Sequence, residues 1–365
     1  MCVRRYNRGM SLTESIKETA FAIGFDLVGI TPAEPLCADE QAYLHAWLRR
    51  DCAAGMPWMH RNLDKRTCPA ALLTGARSVI CTATAYGPPA PETDTPPTAE
   101  PHGRIAEYAR LDDYHVFLKE RLFALAEAIV PLAGGARPRF KICVDSAPLA
   151  ERSLARRAGL GFIGKNHMLT NEHLGSQILL GEIVTDLALE PDKPAQTPCT
   201  GCNRCIQACP TGALRPDGGF DSARCISYLT VESRRAGTGP IDSTLASLIG
   251  DRLFGCDECS LACPYTQNAP RRLTWHGHPA HDSRPGRPCH PLRIPPPRRP
   301  HRLPLNEIVS WRGEQFMKCF ANSPVERLGM EGLKRNAGIC LANAGPVLDH
   351  GATKTSSGSR GDSFP

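Results

Sequence analysis

Cys199-Thr-Gly-Cys202-Asn-Arg-Cys205-Ile-Gln-Ala-Cys209-Pro210 sets four cysteines at x2, x2 and x3 spacing, with proline directly after the last. This is the run that holds iron–sulfur clusters in bacterial ferredoxins, where the fourth cysteine ligates the other of two clusters. A second set of ligands is therefore expected. Cys256-Asp-Glu-Cys259-Ser-Leu-Ala-Cys263-Pro264 repeats the x2, x3 and proline ending, and Cys225 stands between the two runs. The interleaved pattern assigns Cys199, Cys202, Cys205 and Cys263 to one cluster, and Cys209, Cys225, Cys256 and Cys259 to the other. C-x2-C pairs also serve zinc. Soft thiolates suit iron, however, and short steps let one loop wrap three corners of a cubane, so the complete run favours clusters.

With 365 residues the chain has room for two or three domains. Its 17 cysteines do not suggest a secreted disulfide scaffold, because such scaffolds are short and the cysteines outside the two sets follow no regular spacing. Reduced thiols in a cytoplasmic protein fit better. A net charge of +6 favours a polyanionic partner without establishing one. Arg4-Arg5 is followed by neither an apolar region nor a cleavage site, so no export signal is read, and no apolar run is long enough to span a bilayer.

Upstream of the cysteines the pattern alternates. Ser11-x-x-Glu14 has capping-box spacing for a helix over 11–23 that exits at Gly24, and 25–30 reads as a strand. Helices are expected over 40–50, 112–130 and 147–158, the second with Val116, Leu122, Leu125 and Ile129 facing inward; strands are expected over 77–85, 139–144 and 177–184. Such alternation predicts an α/β domain. Gly87 to Pro101 reads as a surface loop. From 269 to 304 the chain is rich in proline, arginine and histidine, and its eight arginines between Arg271 and Arg302 are either solvated linker charges or attractors of phosphate. Helical character returns after 305 through Ile308, Trp311, Phe316 and Phe320, and the tail from Lys354 reads as disordered.

Two clusters alone describe an electron carrier, yet about two hundred residues precede them, so something upstream is expected to receive the electrons. Lys141-Ile-Cys-Val-Asp145-Ser-Ala-Pro-Leu-Ala-Glu151 places Asp145 at a strand end, where ligands of open α/β sheets gather. Its carboxyl would be a general acid if burial raised its pKa; capping the next helix is the competing role. The glycines at 159, 161 and 164 match G-x-G-x-x-G, but they end a helix rather than start one, so close backbone approach or plain turns are expected. His167 and His173 are weaker candidates as metal ligands.

These stretches resemble the epoxyqueuosine reductases, which complete queuosine formation in tRNA. The matches are Gly103-Arg-Ile-Ala-Glu-Tyr-Ala-Arg110 with Asp113-Tyr-His115, Val144-Asp-Ser-Ala-Pro-Leu-Ala-Glu-Arg152, Arg157-Ala-Gly-Leu-Gly-Phe-Ile-Gly-Lys-Asn-His-Met168, Leu180-Gly-Glu-Ile183, Arg224-Cys-Ile-Ser-Tyr-Leu-Thr230 and both cysteine runs. The resemblance implies two [4Fe-4S] clusters and a base-off cobalamin, with electrons passing from an external low-potential donor to cobalt. It implies Asp145 as proton donor, and Arg66, Tyr108, Asp145, Asn166, Leu169, Leu180, Ser227, Cys256 and Asp257 as residues lining the cobalamin.

The expected architecture is α+β/α/β: a cobalamin-binding and catalytic α/β domain over 11–190, a two-cluster ferredoxin-like domain over 191–268, a basic linker over 269–304, a partial HEAT-like helical region over 305–345 and a tail over 346–365. The expected protein is a cytoplasmic monomer that acts on tRNA and does not engage membranes. A reductive dehalogenase and a ferredoxin-like carrier are the rival functions. Family members continue into a helical repeat that helps hold tRNA. Here Pro324 to Gly345 resembles only its start, and a single repeat buries its own face poorly.

Overall fold

The computed structural model describes residues 10–86, 100–135, 137–233, 240–273 and 298–345. The expected tail, most of the proline-rich loop before Pro101 and most of the basic linker lie outside them.

The chain starts as the capping box dictates. Ser11 Oγ accepts the Glu14 amide, the Glu14 carboxylate accepts the Ser11 amide, and α1 (Leu12–Ile23) leaves through Gly24 at φ 107°. There follow β1 (Leu27–Pro32), α2 (Ala38–Arg49), α3 (Leu63–Thr67), β2 (Ser78–Ala85), β3 (His102–Ile105) and α4 (Tyr114–Leu132). Next come β4 (Phe140–Cys143), α5 (Glu151–Arg157), the hairpin of β5 (Phe162–Ile163) and β6 (Leu169–Thr170), and β7 (Ile178–Thr185).

The main sheet runs β1-β2-β7-β4, and each pairing is antiparallel. Alternating helices and strands therefore do not build the parallel sheet that an α/β reading implies. Neighbours in the sheet are distant in sequence: β2 pairs with β7 across nearly a hundred residues, so no strand–helix–strand unit closes on itself. The layer is of the α+β kind. One face takes α1 and α4, through Ile16, Ala20, Leu118, Leu122, Leu125 and Ile129 on Ile30, Ile80 and Ile183. Val116, expected inward, is 58% exposed, because two residues of helix carry it about 200° round from Leu118. The opposite face packs Val79, Cys81, Cys143, Ile178 and Val184 on Leu154 and Ala155 of α5 and on Ala158 just after it. A carboxyl interrupts this largely apolar face: Glu182 of β7, fully buried between Cys81 of β2 and Cys143 of β4.

Beyond the sheet the described elements are α6 (Arg204–Ala208), α7 (Ser243–Ile249), β8 (Arg252–Phe254), α8 (Glu258–Leu261), α9 (Pro264–Leu273), β9 (Arg302–Pro304), α10 (Leu305–Ser310), α11 (Gly313–Phe320) and α12 (Met330–Ala344). Strand β3 pairs with β8 on one side and β9 on the other. Ile105 and Ala109 share one core with Ile226, Leu229, Leu253 and Phe254, and with Leu303, Ile308, Phe316, Phe320, Leu333 and Ala337. The segments expected as separate cluster and helical domains are thus joined by a common core around a strand from the N-terminal region. That core buries the inner face of the C-terminal helices.

Arg299 fixes the join. Only 7% of its side chain is exposed; it donates to the carbonyls of Leu111 (2.6 Å), Ala321 (2.8 Å) and Cys319 (3.0 Å) and meets Asp112 at 3.4 Å. This arginine of the expected basic linker is a buried brace, neither a solvated charge nor a free phosphate contact. Among the described residues no helix is long and apolar enough to cross a membrane.

Candidate active site between the Asp145 loop and the cysteine loops

Asp145 follows β4 in the left-handed region, at φ 50°. Non-glycine residues stay there only when their surroundings hold them, and such positions concentrate at functional sites. It does not cap α5, whose N-cap is Ala150. Its side chain is half open, at 51% exposure, and its Oδ2 meets His115 Nε2 at 3.1 Å, the Tyr114 hydroxyl at 3.2 Å and Arg327 Nη1 at 3.9 Å. His115 passes the contact on, with Nδ1 2.7 Å from Asp113 Oδ1.

The electrostatics correct one expectation. Burial works to raise the Asp145 pKa, but His115 and Arg327 outweigh it and hold the carboxyl below its usual range. For His115 burial works downward, yet Asp113 and Asp145 lift the imidazole to about 9. The site's proton at neutral pH therefore rests on His115, directed at an ionised Asp145. Asp113 and His115 stood in a matched motif without an assigned role; Arg327, nearly two hundred residues away, carried no signal.

Beneath the loop the Asp145 amide donates to Glu151 Oε1 at 2.6 Å. Burial and the charge of Asp145 push Glu151 up to about 7. Burial and Glu151 push Glu182 well above the carboxylate range.

The described cysteines influence one another across the two runs. Beyond the effect of burial, Cys205 feels Cys199 and Cys263, whereas Cys259 feels Cys256, Cys225 and Cys209. Cys263 thus lies near Cys205 and Cys209 near Cys259. Among the described residues no three histidines, cysteines or acidic residues form a site for a single metal ion, and His167 lies stacked by Tyr43 and close to Phe220. The 256–259 loop is bolted on both flanks. Asp257 accepts the Glu107 amide at 2.7 Å, Glu258 pairs with Arg252 at 2.6 Å and Arg104 at 3.2 Å, and Asn166 Nδ2 donates to Cys259 O at 3.4 Å.

Tyr108 links the two halves. Its ring lies 6.2 Å edge-on from Tyr114, which touches Asp145, and 6.3 Å from Phe254, two residues before Cys256. Asp257, Asn166 and Cys256 lie on this side, with Ser227 just before the turn of π-helix 228–232 that reaches Gly255 through Thr230. Arg66 is near Glu151 instead and donates to Trp58 O, while its buried Nε has no partner among the described residues. Leu169 is buried at 2% and Leu180 packs on the same α5-side core. Thr84 Oγ1 and both Gln177 amide atoms are also buried with no partner among the described residues. Gly161 lets the β5–β6 hairpin close: a Cβ there would stand 2.4 Å from Thr170 O.

Residues 66–146 match a family model described as epoxyqueuosine reductase QueG, DUF1730, and residues 198–266 one described as a 4Fe-4S double cluster binding domain. The epoxyqueuosine reductase of Salmonella typhimurium is 36% identical over 333 residues, covering 91% of this chain and 80% of that one. The chain belongs to the epoxyqueuosine reductase family. Among solved members of the family, a complex with an epoxyqueuosine-modified tRNA-Tyr stem loop superposes with a TM-score of 0.76 at 29% identity, covering 91% of this chain and 81% of that one. The Bacillus subtilis member superposes equally well, at 29% identity over 91% of this chain and 82% of that one; in that structure the catalytic aspartate loop is swung out of the active site. The family's double-cluster region coincides with both cysteine runs, so the expectation of [4Fe-4S] clusters stands and that of zinc does not.

Proposed function

We propose that this chain reduces epoxyqueuosine to queuosine at the wobble base of tRNA, using two electrons and two protons and releasing the epoxide oxygen as water. The observation that carries the reading is Tyr108: it brings a proton-bearing acid site and a cluster-ligand loop to the two sides of one ring. A ferredoxin-like carrier has no use for the Asp113–His115–Asp145 array.

When bound, the clusters bring in electrons singly from an external donor, and the cobalamin implied by the family resemblance supplies low-valent cobalt to reduce the epoxide carbon. Arg66, Tyr108, Asn166, Leu169, Leu180, Ser227, Cys256 and Asp257 would line that cofactor. The unpaired Gln177 amide and Arg66 Nε are groups that an amide-fringed macrocycle satisfies. Asp145 delivers the proton to the departing oxygen. His115, charged at neutral pH, replenishes it across 3.1 Å, and Arg327 and Tyr114 steady the carboxylate between turnovers. Lys65, Lys119 and Lys141 line a groove of about 460 Å³ together with Ser146, Ala147 and Pro148 of the Asp145 loop, and suit the phosphates of a tRNA stem. The protein would act as a monomer in the cytoplasm.

Cluster- and cobalamin-loaded protein, given reductant and an anticodon stem-loop bearing epoxyqueuosine, should remove one oxygen from the base, read by mass spectrometry. A loaded protein that leaves the base intact refutes the reading.

A further inference from the structure

The proton path above gives no task to Glu151 and Glu182. Glu182 occupies the centre of an apolar sheet face, fully buried, and neither carboxyl oxygen has a hydrogen-bond partner among the described residues that donates to it. Its cross-strand neighbours are Cys81 and Cys143, thiols that burial keeps protonated. The α5 layer brings Glu151 against it. Asp145 and Arg152 face this pair, and Arg66 of α3 feels Glu151. Carboxylates are acceptors only, so two that abut in a buried site stay together by holding a proton between them. Glu151 is also the acceptor for the Asp145 amide at 2.6 Å, at a residue whose left-handed backbone needs an outside hold.

We propose that Glu151 and Glu182 form a proton-sharing carboxyl pair that latches the Asp145 loop in its working position, and that loss of the shared proton frees the loop. Both are positioning residues, acting through Asp145. With the proton present, Glu151 is fixed from below by Glu182 and holds the amide above. Without it, two abutting anions repel, and Glu151, half-buried at the first turn of α5, is the partner able to turn toward water. The latch bears on catalysis only through the proposed function, but its existence does not depend on that reading.

The pair is therefore tested first without substrate, on cluster-loaded protein. Infrared difference spectra across pH should show the C=O stretch of a protonated carboxyl at neutral pH, absent from Glu182→Gln. Amide exchange of residues 144–149, corrected for intrinsic base catalysis, should accelerate in step with the loss of that band. Glu182→Gln, whose amide can donate to Glu151 but cannot ionise, should stay protected over the whole range. Glu151→Ala should exchange about tenfold or more faster at every pH. A missing band, or protection indifferent to both substitutions, overturns the latch. Should Glu182→Gln not fold, co-titration of band and protection in the unaltered protein decides the matter alone. With the stem-loop substrate, Glu151→Ala should lower kcat by ~10- to 100-fold with KM held, the signature of a misplaced acid rather than lost binding. If unaltered protein converts no stem-loop, the proposed function fails while band and exchange still judge the latch.

Discussion

Asp113→Asn separates the charge on His115 from its placement. Asparagine keeps an oxygen at the start of α4, where Asp113 Oδ1 now accepts the His115 amide at 3.0 Å, but the anion 2.7 Å from Nδ1 is gone. The imidazole stands at about 9 against an ordinary 6.5, a preference for the charged form of about 3 kcal/mol. Asp113 is the larger of the two carboxylate influences, and an opposite charge this close is worth roughly one to three pH units. His115 in the variant should therefore titrate near ~7. At pH 8 most His115 side chains in the unaltered protein carry their proton and most in the variant do not. Single-turnover reduction of the stem-loop should then be about tenfold slower, with the rates converging below pH 6. The stability consequence has a definite sign. A raised histidine pKa stabilises fully below 6.5 and loses that contribution as pH climbs through about 9, so the unaltered protein should weaken over that window and Asp113→Asn should lose less. Imidazole NMR titration gives the direct reading. A His115 pKa at or below 6.5 in the unaltered protein, or an alkaline limb of the rate that Asp113→Asn leaves in place, refutes the charge assignment.

Asp145→Asn should keep both clusters, seen by visible absorbance, while slowing epoxide reduction by ~10²- to 10⁴-fold; a rate near that of the unaltered protein would remove Asp145 from the proton path. Cys263→Ser should disturb the cluster held with Cys199 and spare the one held with Cys259, and electron paramagnetic resonance of the reduced protein would show the reverse if the sets were not interleaved. Arg299→Ala strands buried carbonyls on two segments at once and should cost about 3 kcal/mol in denaturant unfolding; a loss below ~0.5 kcal/mol would mean the brace is dispensable.

The legible parts of this molecule were those whose physics is local. A capping box is decided within four residues, and the cysteine runs fix their own ligand geometry in a dozen. Asp145 stood out at a strand end, but its ionisation depends first on His115, thirty residues upstream, and then on Arg327 from the far end of the chain, so its protonation state could not be read from 145–151. Glu182 looked like one residue of an apolar strand; its isolation appears only when β7 lies between β2 and β4. The same long-range pairing turned an expected α/β sheet antiparallel. Arg299, in a stretch whose composition suggests a linker, became a core residue through carbonyls contributed by residues 111, 319 and 321.

The ties on the 256–259 loop have a consequence for speed. Moving an electron onto or off a metal centre shifts local charge, and surrounding dipoles and chains that relax in response slow the transfer. Here both residues between Cys256 and Cys259 are committed: Asp257 to the turn bearing Tyr108, Glu258 to two arginines on neighbouring strands. A loop so anchored has little room to relax, so the nuclear reorganisation accompanying each electron should be small. Cutting Glu258 free would be felt first as slower reduction, before any loss of fold.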